Sequence, residues 1–232
     1  DGAIQLGMTA TPKETKYASN ITYFGEPIYT YSLKQGIQDG FLAPYKVVRI
    51  DIDKDIHGWT PPPGMKDDLG NEIEQREYNQ IDMDRILVLN QRTKLVAERV
   101  MKLLNATDPF QKTIIFCVDD THAAFMAQEL RRLSGKADYA ARITRAERNS
   151  HQLERNFAVV GPSNPRVAVT VDLLTTGFDA PDVKNVVFVR PLRSAILYKQ
   201  MKGRGTRLCE DINKRYFTIF DYSGASQLED AE

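Results

Sequence analysis

The sequence predicts an α/β domain built as a parallel sheet flanked by helices, and two observations carry that reading. From residue 84 onward strands alternate with helices, in the order helix 84–104, strand 113–118, helix 121–134, strand 137–142, helix 147–158, strand 166–171, strand 184–189, helix 194–202 and strand 215–221. The longest apolar runs, Thr113–Val118 and Val183–Val189, have the length of strands. Strands separated by helices imply a parallel sheet with helices on both faces. In such sheets ligands gather at the carboxyl ends of the strands, so chemistry is expected in the loops after Val118, Val171 and Val189.

The region before residue 84 is less regular. Residues 3–8 read as a short buried strand that empties into Thr9-Ala10-Thr11-Pro12, where proline stops regular structure and the threonines offer hydroxyls. A lone strand cannot bury itself, so this one is expected to belong to a neighbouring sheet. Residues 13–45 read as a connector with one short helix near Leu33–Gln38, ended around Gly40 and Pro44. Tyr45–Asp53 alternates as a strand does, and from Lys54 to about Ile81 the chain turns polar, with Trp59 and three prolines, which suggests a mobile excursion or a hairpin. The expected organisation is therefore 1–12, 13–45, 46–81, a main domain over 82–224, and the start of a following segment at 225–232.

Charge and composition exclude several classes. Lys plus Arg equal Asp plus Glu at 31 each, so no whole-chain field attracts DNA or an anionic membrane, and nucleic-acid contacts must be local. Two cysteines, Cys117 in an apolar run and Cys209 beside acids, form neither a disulfide framework nor a metal spacing, which fits a reducing cytoplasmic compartment. No apolar stretch approaches the roughly 18 residues that span a bilayer. The chain opens Asp1-Gly2-Ala3, without Met or a leader, and is expected to be a piece of a longer protein.

Two loops carry chemistry. Val171-Asp172-Leu173-Leu174-Thr175-Thr176-Gly177-Phe178-Asp179-Ala180-Pro181 combines a glycine for a sharp turn, threonines that can bond phosphate oxygens and an aspartate that can accept from a ribose hydroxyl. An ordinary strand-to-strand turn would use the same Asp and Pro only for shape. Arg190 to Leu208 contains no acid, and closes as Gln200-Met201-Lys202-Gly203-Arg204-Gly205-Thr206-Arg207. Arginines on a glycine-flanked turn at a helix end can reach a phosphoryl group that develops charge. The plain alternative is a solvated basic helix face, which has no need of the paired glycines. Asp51-x-Asp53-x-Asp55 lacks the glycine and closing glutamate of a calcium loop, and His57, His122 and His151 have no partner at zinc spacing, so no metal site is expected. Asp119-Asp120 reads as a helix cap, Trp59 as a loop anchor or a stacking surface, and Cys117 as an inert core residue.

Gln-x-x-Gly-Arg-x-x-Arg at 200–207 resembles motif VI of superfamily 2 helicases, and Thr-Gly-Phe-Asp at 176–179 resembles their motif V. Thr9-Ala10-Thr11 after an apolar strand is similar to motif III, which closes the first lobe of such motors, and Ile114-Ile115-Phe116-Cys117 leading to Thr121-His122-Ala123 is similar to motif IV. A narrower resemblance, to the R subunits of type I restriction endonucleases, rests on Gly40-Phe41-Leu42-Ala43-Pro44-Tyr45, on the Phe-Cys and Thr-His-Ala elements of motif IV, and on Thr-Gly-Phe-Asp-Ala-Pro. The resemblance implies a RecA-like second lobe of a P-loop helicase or translocase, with residues 1–12 closing the first lobe. It implies that Arg204 and Arg207, assisted by Gln200, face the γ-phosphate of ATP, and that Gly177, Asp179 and Gly203 line the nucleotide side. Thr9 and Thr11 would relay phosphate state to a DNA track that Thr121, Thr144 and Thr175 touch.

Neither a phosphate-binding Gly-x-x-x-x-Gly-Lys-Ser/Thr loop nor an acidic box ahead of Thr9 occurs, so ATP and Mg2+ are expected mainly on another lobe, and this chain alone is expected to be inactive. A nuclease site is likewise expected elsewhere. The implied partners are duplex DNA, the first lobe of the same protein, and the specificity and modification subunits of a type I complex. Two other readings stay open on sequence grounds: a lobe of another superfamily 2 DNA or RNA helicase, and a non-catalytic RecA-like interaction module.

Overall fold

The computed structural model describes residues 4–9, 14–15, 18–51, 60–66, 72, 74–77, 90–172, 174 and 178–230. Thr11, Thr175, Gly177, Trp59, Asp53, Asp55 and the expected helical residues 84–89 lie outside them.

The connector holds a small antiparallel pair, β1 (Glu14–Thr15) and β2 (Ala18–Ser19), then α1 (Asn20–Phe24) and α2 (Leu33–Gln38). The Ser32 side chain accepts from the Gln35 amide while the Gln35 side chain accepts from the Ser32 amide, a reciprocal cap that starts α2 at the expected residue. Beyond it run β3 (Tyr45–Arg49), α3 (Asn90–Thr107), β4 (Lys112–Phe116), α4 (Asp120–Ser134), β5 (Ala140–Arg142), α5 (Ser150–Ala158), β6 (Val167–Thr170), β7 (Val183–Phe188), α6 (Ala195–Lys202), β8 (Phe217–Asp221) and α7 (Gln227–Asp230).

Six of these strands form one parallel sheet in the order β3-β8-β7-β4-β6-β5. Alternate side chains of each strand enter opposite layers. Ile115, Val167, Val169 and Val187 pack with Val96, Val100 and Leu104 of α3 and Met126 and Leu130 of α4. Ile114, Phe116, Ala168, Val186 and Phe188 face the other way, onto Phe157 of α5 and Tyr198 and Met201 of α6. Each large side chain buried this way contributes roughly 1.5–3 kcal/mol, so central strands that are apolar on both faces make the sheet the chief source of stability.

Three features differ from the sequence expectation. Residues 4–9 adopt no regular element, and Ile4, Leu6 and Met8 are 98%, 76% and 91% exposed, because no described strand pairs with them. Tyr45–Arg49, assigned from local pattern to the 46–81 segment, is the edge strand of the main sheet and pairs in parallel with β8 from Tyr45↔Phe217 to Arg49↔Asp221. A partner so distant in sequence leaves no local signal. At the other end, Ala225 and Ser226 are buried, and the Asp221 carboxylate accepts from the amides of Ser223, Ala225 and Ser226, so residues 225 and 226 fold onto the same core. Arg49 Nε donates to Ser226 Oγ at 2.9 Å, closing edge strand onto carboxyl-terminal turn. Within the polar excursion a turn at Pro62–Met65 and an antiparallel bridge between Lys66 and Glu72 are described.

Asp119 caps α4, its carboxylate accepting from the His122 amide at 2.8 Å. His122 is buried, and its Nδ1 accepts from the Val118 amide at 3.5 Å. Burial, aided by Arg92 and opposed by Asp119, pushes the imidazole down to about 4. The unfolded imidazole protonates near its ordinary value of about 6.5, so its contribution to stability is complete above that pH and shrinks as pH falls toward about 4. Urea denaturation between pH 7 and 5 is therefore expected to show stability declining with pH, and His122→Phe is expected to flatten the slope; an equal slope in the variant would refute the assignment.

Candidate functional site

The arginine-bearing turn is delivered by α6. The Ser194 side chain accepts from the Leu197 amide and starts the helix, which leaves the carboxyl end of β7 and runs back across the sheet. Its last residues pass into a 3-10 turn, Gly203–Gly205, with the Gly203 amide donating to the carbonyls of Lys199 and Met201. Because the return path of a parallel crossover runs opposite to the strands, this turn lies at the amino edge of the sheet, against the start of β8. The loops after Val118, Val171 and Val189, where chemistry was expected, begin at the opposite edge.

The two glycines of the turn differ. A Cβ on Gly205 would stand 2.2 Å from Cδ2 of Phe217, whose ring is fully buried at the start of β8. Gly205 is thus required by close packing. A Cβ on Gly203 would meet no atom within 4 Å, and Gly203 instead lines a recess. The connector braces the turn from the other side: the Ala43 amide donates to the Thr206 carbonyl at 2.7 Å, Leu42 forms an antiparallel bridge with Arg207, and the Phe217 amide donates to the Pro44 carbonyl at 3.1 Å. Lys202, buried at 3% exposure, donates to the Tyr45 hydroxyl and lies over the Tyr45 and Tyr198 rings. The Gly40-to-Tyr45 stretch therefore has a definite task as a brace, and that task was not legible from its residues.

The second wall of the recess is the end of the 171–182 loop, which leaves the carboxyl end of β6 and returns to the amino end of β7. Phe178 packs on Phe157 with ring centroids 5.9 Å apart, and its carbonyl accepts from the Arg204 guanidinium. Asp182 pairs with Lys112 at 3.0 Å, both nearly fully buried, and also accepts from the Gly161 amide. The Lys112 ammonium donates further to the carbonyls of Phe157, at 2.6 Å, and Val159. Burial lowers the Lys112 ammonium from its ordinary value while Asp182 opposes that shift.

Phe178, Asp179, Ala180, Gly203, Arg204 and Arg207 line the recess. The two arginines have unequal surroundings. Arg204 is half-buried, held by Phe178 and by the Gln200 carbonyl at 3.4 Å, and burial lowers its guanidinium despite the pull of Asp179. Arg207 stands out in solvent and pairs with Asp179 at 3.3 Å, with side chains 62% and 55% exposed. An exposed pair of this kind contributes about 0–1 kcal/mol, so an anion entering the recess can replace the carboxylate at little cost. The arrangement suits a phosphoryl oxygen: two guanidinium groups converge, one fixed and one exchangeable.

Asp179, Gly203, Arg204 and Arg207 are thus brought together, with Gln200 half-buried on the helix behind them. Of the threonines expected on a DNA track, the three that are described lie elsewhere. Thr121 is exposed on the first turn of α4, at the carboxyl edge of the sheet, and Thr9 is exposed on the segment ahead of β1. Thr144 is 4% exposed and its hydroxyl donates to Asp120, which also receives Arg142 at 2.8 Å. Arg190 is engaged with Asp172 at 2.9 Å and with the Val171 carbonyl. Among the described residues no group of three or more His, Cys, Asp or Glu could hold a metal. Asp179 is the sole carboxylate among the described lining residues. These residues do not fit a magnesium site.

The sequence profile of the helicase conserved C-terminal domain matches residues 84–209. Across 231 residues the chain is 45% identical to a type I restriction enzyme EcoAI endonuclease subunit of Escherichia coli, covering 97% of this chain and 28% of that protein. It is 33% identical to the EcoKI endonuclease subunit of Escherichia coli K12, covering 94% of this chain and 20% of the relative. Among solved structures, a fragment described as an HsdR subunit of a type I restriction enzyme from Vibrio vulnificus is similar at 39% identity and a TM-score of 0.80, covering 100% of this chain and 42% of that one. The chain therefore spans less than half the length of each of these relatives.

The contrast between the glycines is testable. Gly205→Ala is expected to lower stability by about 1–3 kcal/mol through overpacking on Phe217, whereas Gly203→Ala is expected to stay within about 1 kcal/mol of the parent. Thermal denaturation measures both, and equal effects would contradict the packing of this turn.

Proposed function

The chain belongs to the helicase conserved C-terminal domain family, and from that premise we propose that it is the arginine-donating second motor lobe of an ATP-dependent DNA translocase, the R subunit of a type I restriction-modification enzyme. The observation that carries this reading is the convergence of Arg204, Arg207 and Asp179 on one recess, built by the two loops that resemble motifs V and VI. Its relatives, similar over nearly the whole of this chain, support the choice of a restriction motor within the wider family.

In this account ATP binds between two RecA-like lobes, and its triphosphate and Mg2+ are held mainly by the first. Closure brings the γ-phosphate to the recess, where Arg207 exchanges Asp179 for a phosphate oxygen and Arg204, fixed by Phe178, presents the second charge. Guanidinium groups prepositioned at developing charge act without reorganising at the moment of transfer. Asp179, released from Arg207, becomes free to accept from a ribose hydroxyl. Gln200 supports the turn from α6, and Gly203 leaves room for the phosphate. Hydrolysis reopens the lobes, and cycles of closure and reopening step the motor along duplex DNA.

Thr121, exposed on the first turn of α4, supports a backbone contact at the carboxyl edge of the sheet. Thr9, Thr11 and Thr175 are proposed for the same track. Thr144 serves it indirectly, since its hydroxyl is held by Asp120. Sequence-reading and methylation are assigned to the specificity and modification subunits of the complex, and DNA cleavage to another domain of the full-length protein. No helix among the described residues is long and apolar enough to cross a membrane; the site of action is proposed as the cytoplasm.

Arg207→Ala in the full-length protein is expected to reduce DNA-stimulated ATP hydrolysis by about 10³-fold or more while leaving nucleotide binding to the first lobe largely intact. Steady-state ATPase with and without duplex DNA checks this, and unchanged DNA-stimulated turnover would remove Arg207 from the role.

A further inference from the structure

We propose that Lys214 is a positioning residue that clips the arginine turn to the end of the 171–182 loop, so that both walls of the recess move as one body. The proposal rests on the arginine assignment for its functional meaning and on separate contacts for its geometry. Lys214 closes a small hairpin after the turn: its amide donates to the Cys209 carbonyl at 2.8 Å, and Asn213 before it adopts a left-handed conformation with φ 50°. The side chain then runs inward, with 2% of the residue exposed. Its ammonium donates to the Pro181 carbonyl at 2.8 Å and to the Gly205 carbonyl at 2.9 Å. Gly205 follows Arg204 directly, and Pro181 lies two residues beyond Asp179. One buried cation therefore bonds the main chain next to Arg204 and two residues from Asp179.

The energetics argue for alignment rather than stability as the reason for a lysine here. Burial pushes the ammonium down to about 8, with Cys209 and Asp182 partly offsetting it and Lys184 adding to it. Asp182, the carboxylate that favours its charge, is already paired with Lys112. A buried cation whose hydrogen bonds go to carbonyls is unfavourable for folding relative to an apolar side chain of the same length. Methionine could fill the space, but could not hold two carbonyls from separate loops in a fixed relation. Positional tolerance in such sites is small, since a displacement of about 1 Å can reduce turnover on the order of 10²-fold. Arg204, which bonds the Phe178 carbonyl, adds a second tie between the same loops, and Lys112 anchors Asp182 from below. Lys214 differs from both in reaching the two loops from outside either motif.

The test uses the full-length protein carrying Lys214→Met. DNA-stimulated kcat is expected to fall at least tenfold with KM for ATP within twofold of the parent. Hydrogen exchange is expected to accelerate in peptides covering 178–183 and 203–208 while those from α3 and α4 keep their protection. Lys214→Gln, which keeps a donor on a shorter arm, is expected to fall between and serves if the methionine variant does not fold. Parental kcat, or exchange accelerated evenly across the domain, would overturn the proposal. Arg207→Ala measured alongside separates the two ideas: parental turnover there removes the arginine assignment, whereas the local exchange pattern reports on the clip alone.

Discussion

Burial of the parallel sheet on both faces governs where this chain can place polar chemistry. With α3 and α4 on one side and α5 and α6 on the other, Ile114, Ile115, Phe116, Val186 and Val187 leave no room for charge within the layers. Functional groups must then sit at the two edges, where loops enter and leave. A right-handed crossover sends each helix back antiparallel to its strands, so a loop that begins at the carboxyl edge and a turn that follows the helix lie at opposite ends of the domain. The arginine turn is of the second kind. Its seat is set by the contact of Gly205 with the Phe217 ring, and the connector and β3 close over it through Ala43 and Pro44.

The 171–182 loop joins the two edges. It leaves the carboxyl end of β6 and arrives at the amino end of β7 beside Arg204. Its arriving half is gripped by cations from three elements: Arg204 on the Phe178 carbonyl, Lys214 on the Pro181 carbonyl and Lys112 on the Asp182 carboxylate. In the proposed motor this is how occupancy of the nucleotide recess would be felt at the DNA-facing edge. The weakest link is the exposed Arg207–Asp179 pair, which is where an exchangeable contact is useful.

The layered fold was legible because its signals are local. Alternating strands and helices and the aspartate cap at Asp119 each act within a few residues. The arginine turn was legible from the spacing of Gln200, Gly203, Arg204 and Arg207. What escaped was whatever depends on partners distant in sequence. The place of Tyr45–Arg49 in the main sheet is set by β8, and the short element expected at residues 3–8 finds no described strand to pair with. The edge on which the arginines sit depends on the direction of α6, which a rule about strand ends does not supply. The family resemblance puts Thr144 on a DNA track, yet in the fold Asp120 holds its hydroxyl. Lys112 and Lys214 look like ordinary surface lysines until burial places them among carbonyls.

The central claim is that this chain supplies arginines to a nucleotide held elsewhere. The most direct measurement is ATP hydrolysis by this chain alone, and by this chain combined with a first lobe from the same protein that carries the phosphate-binding loop, each with and without duplex DNA. Activity that appears only in the combination and rises with DNA is the predicted result. Two folded pieces that associate yet hydrolyse no ATP with DNA present, or hydrolysis by this chain unaided, would contradict the account.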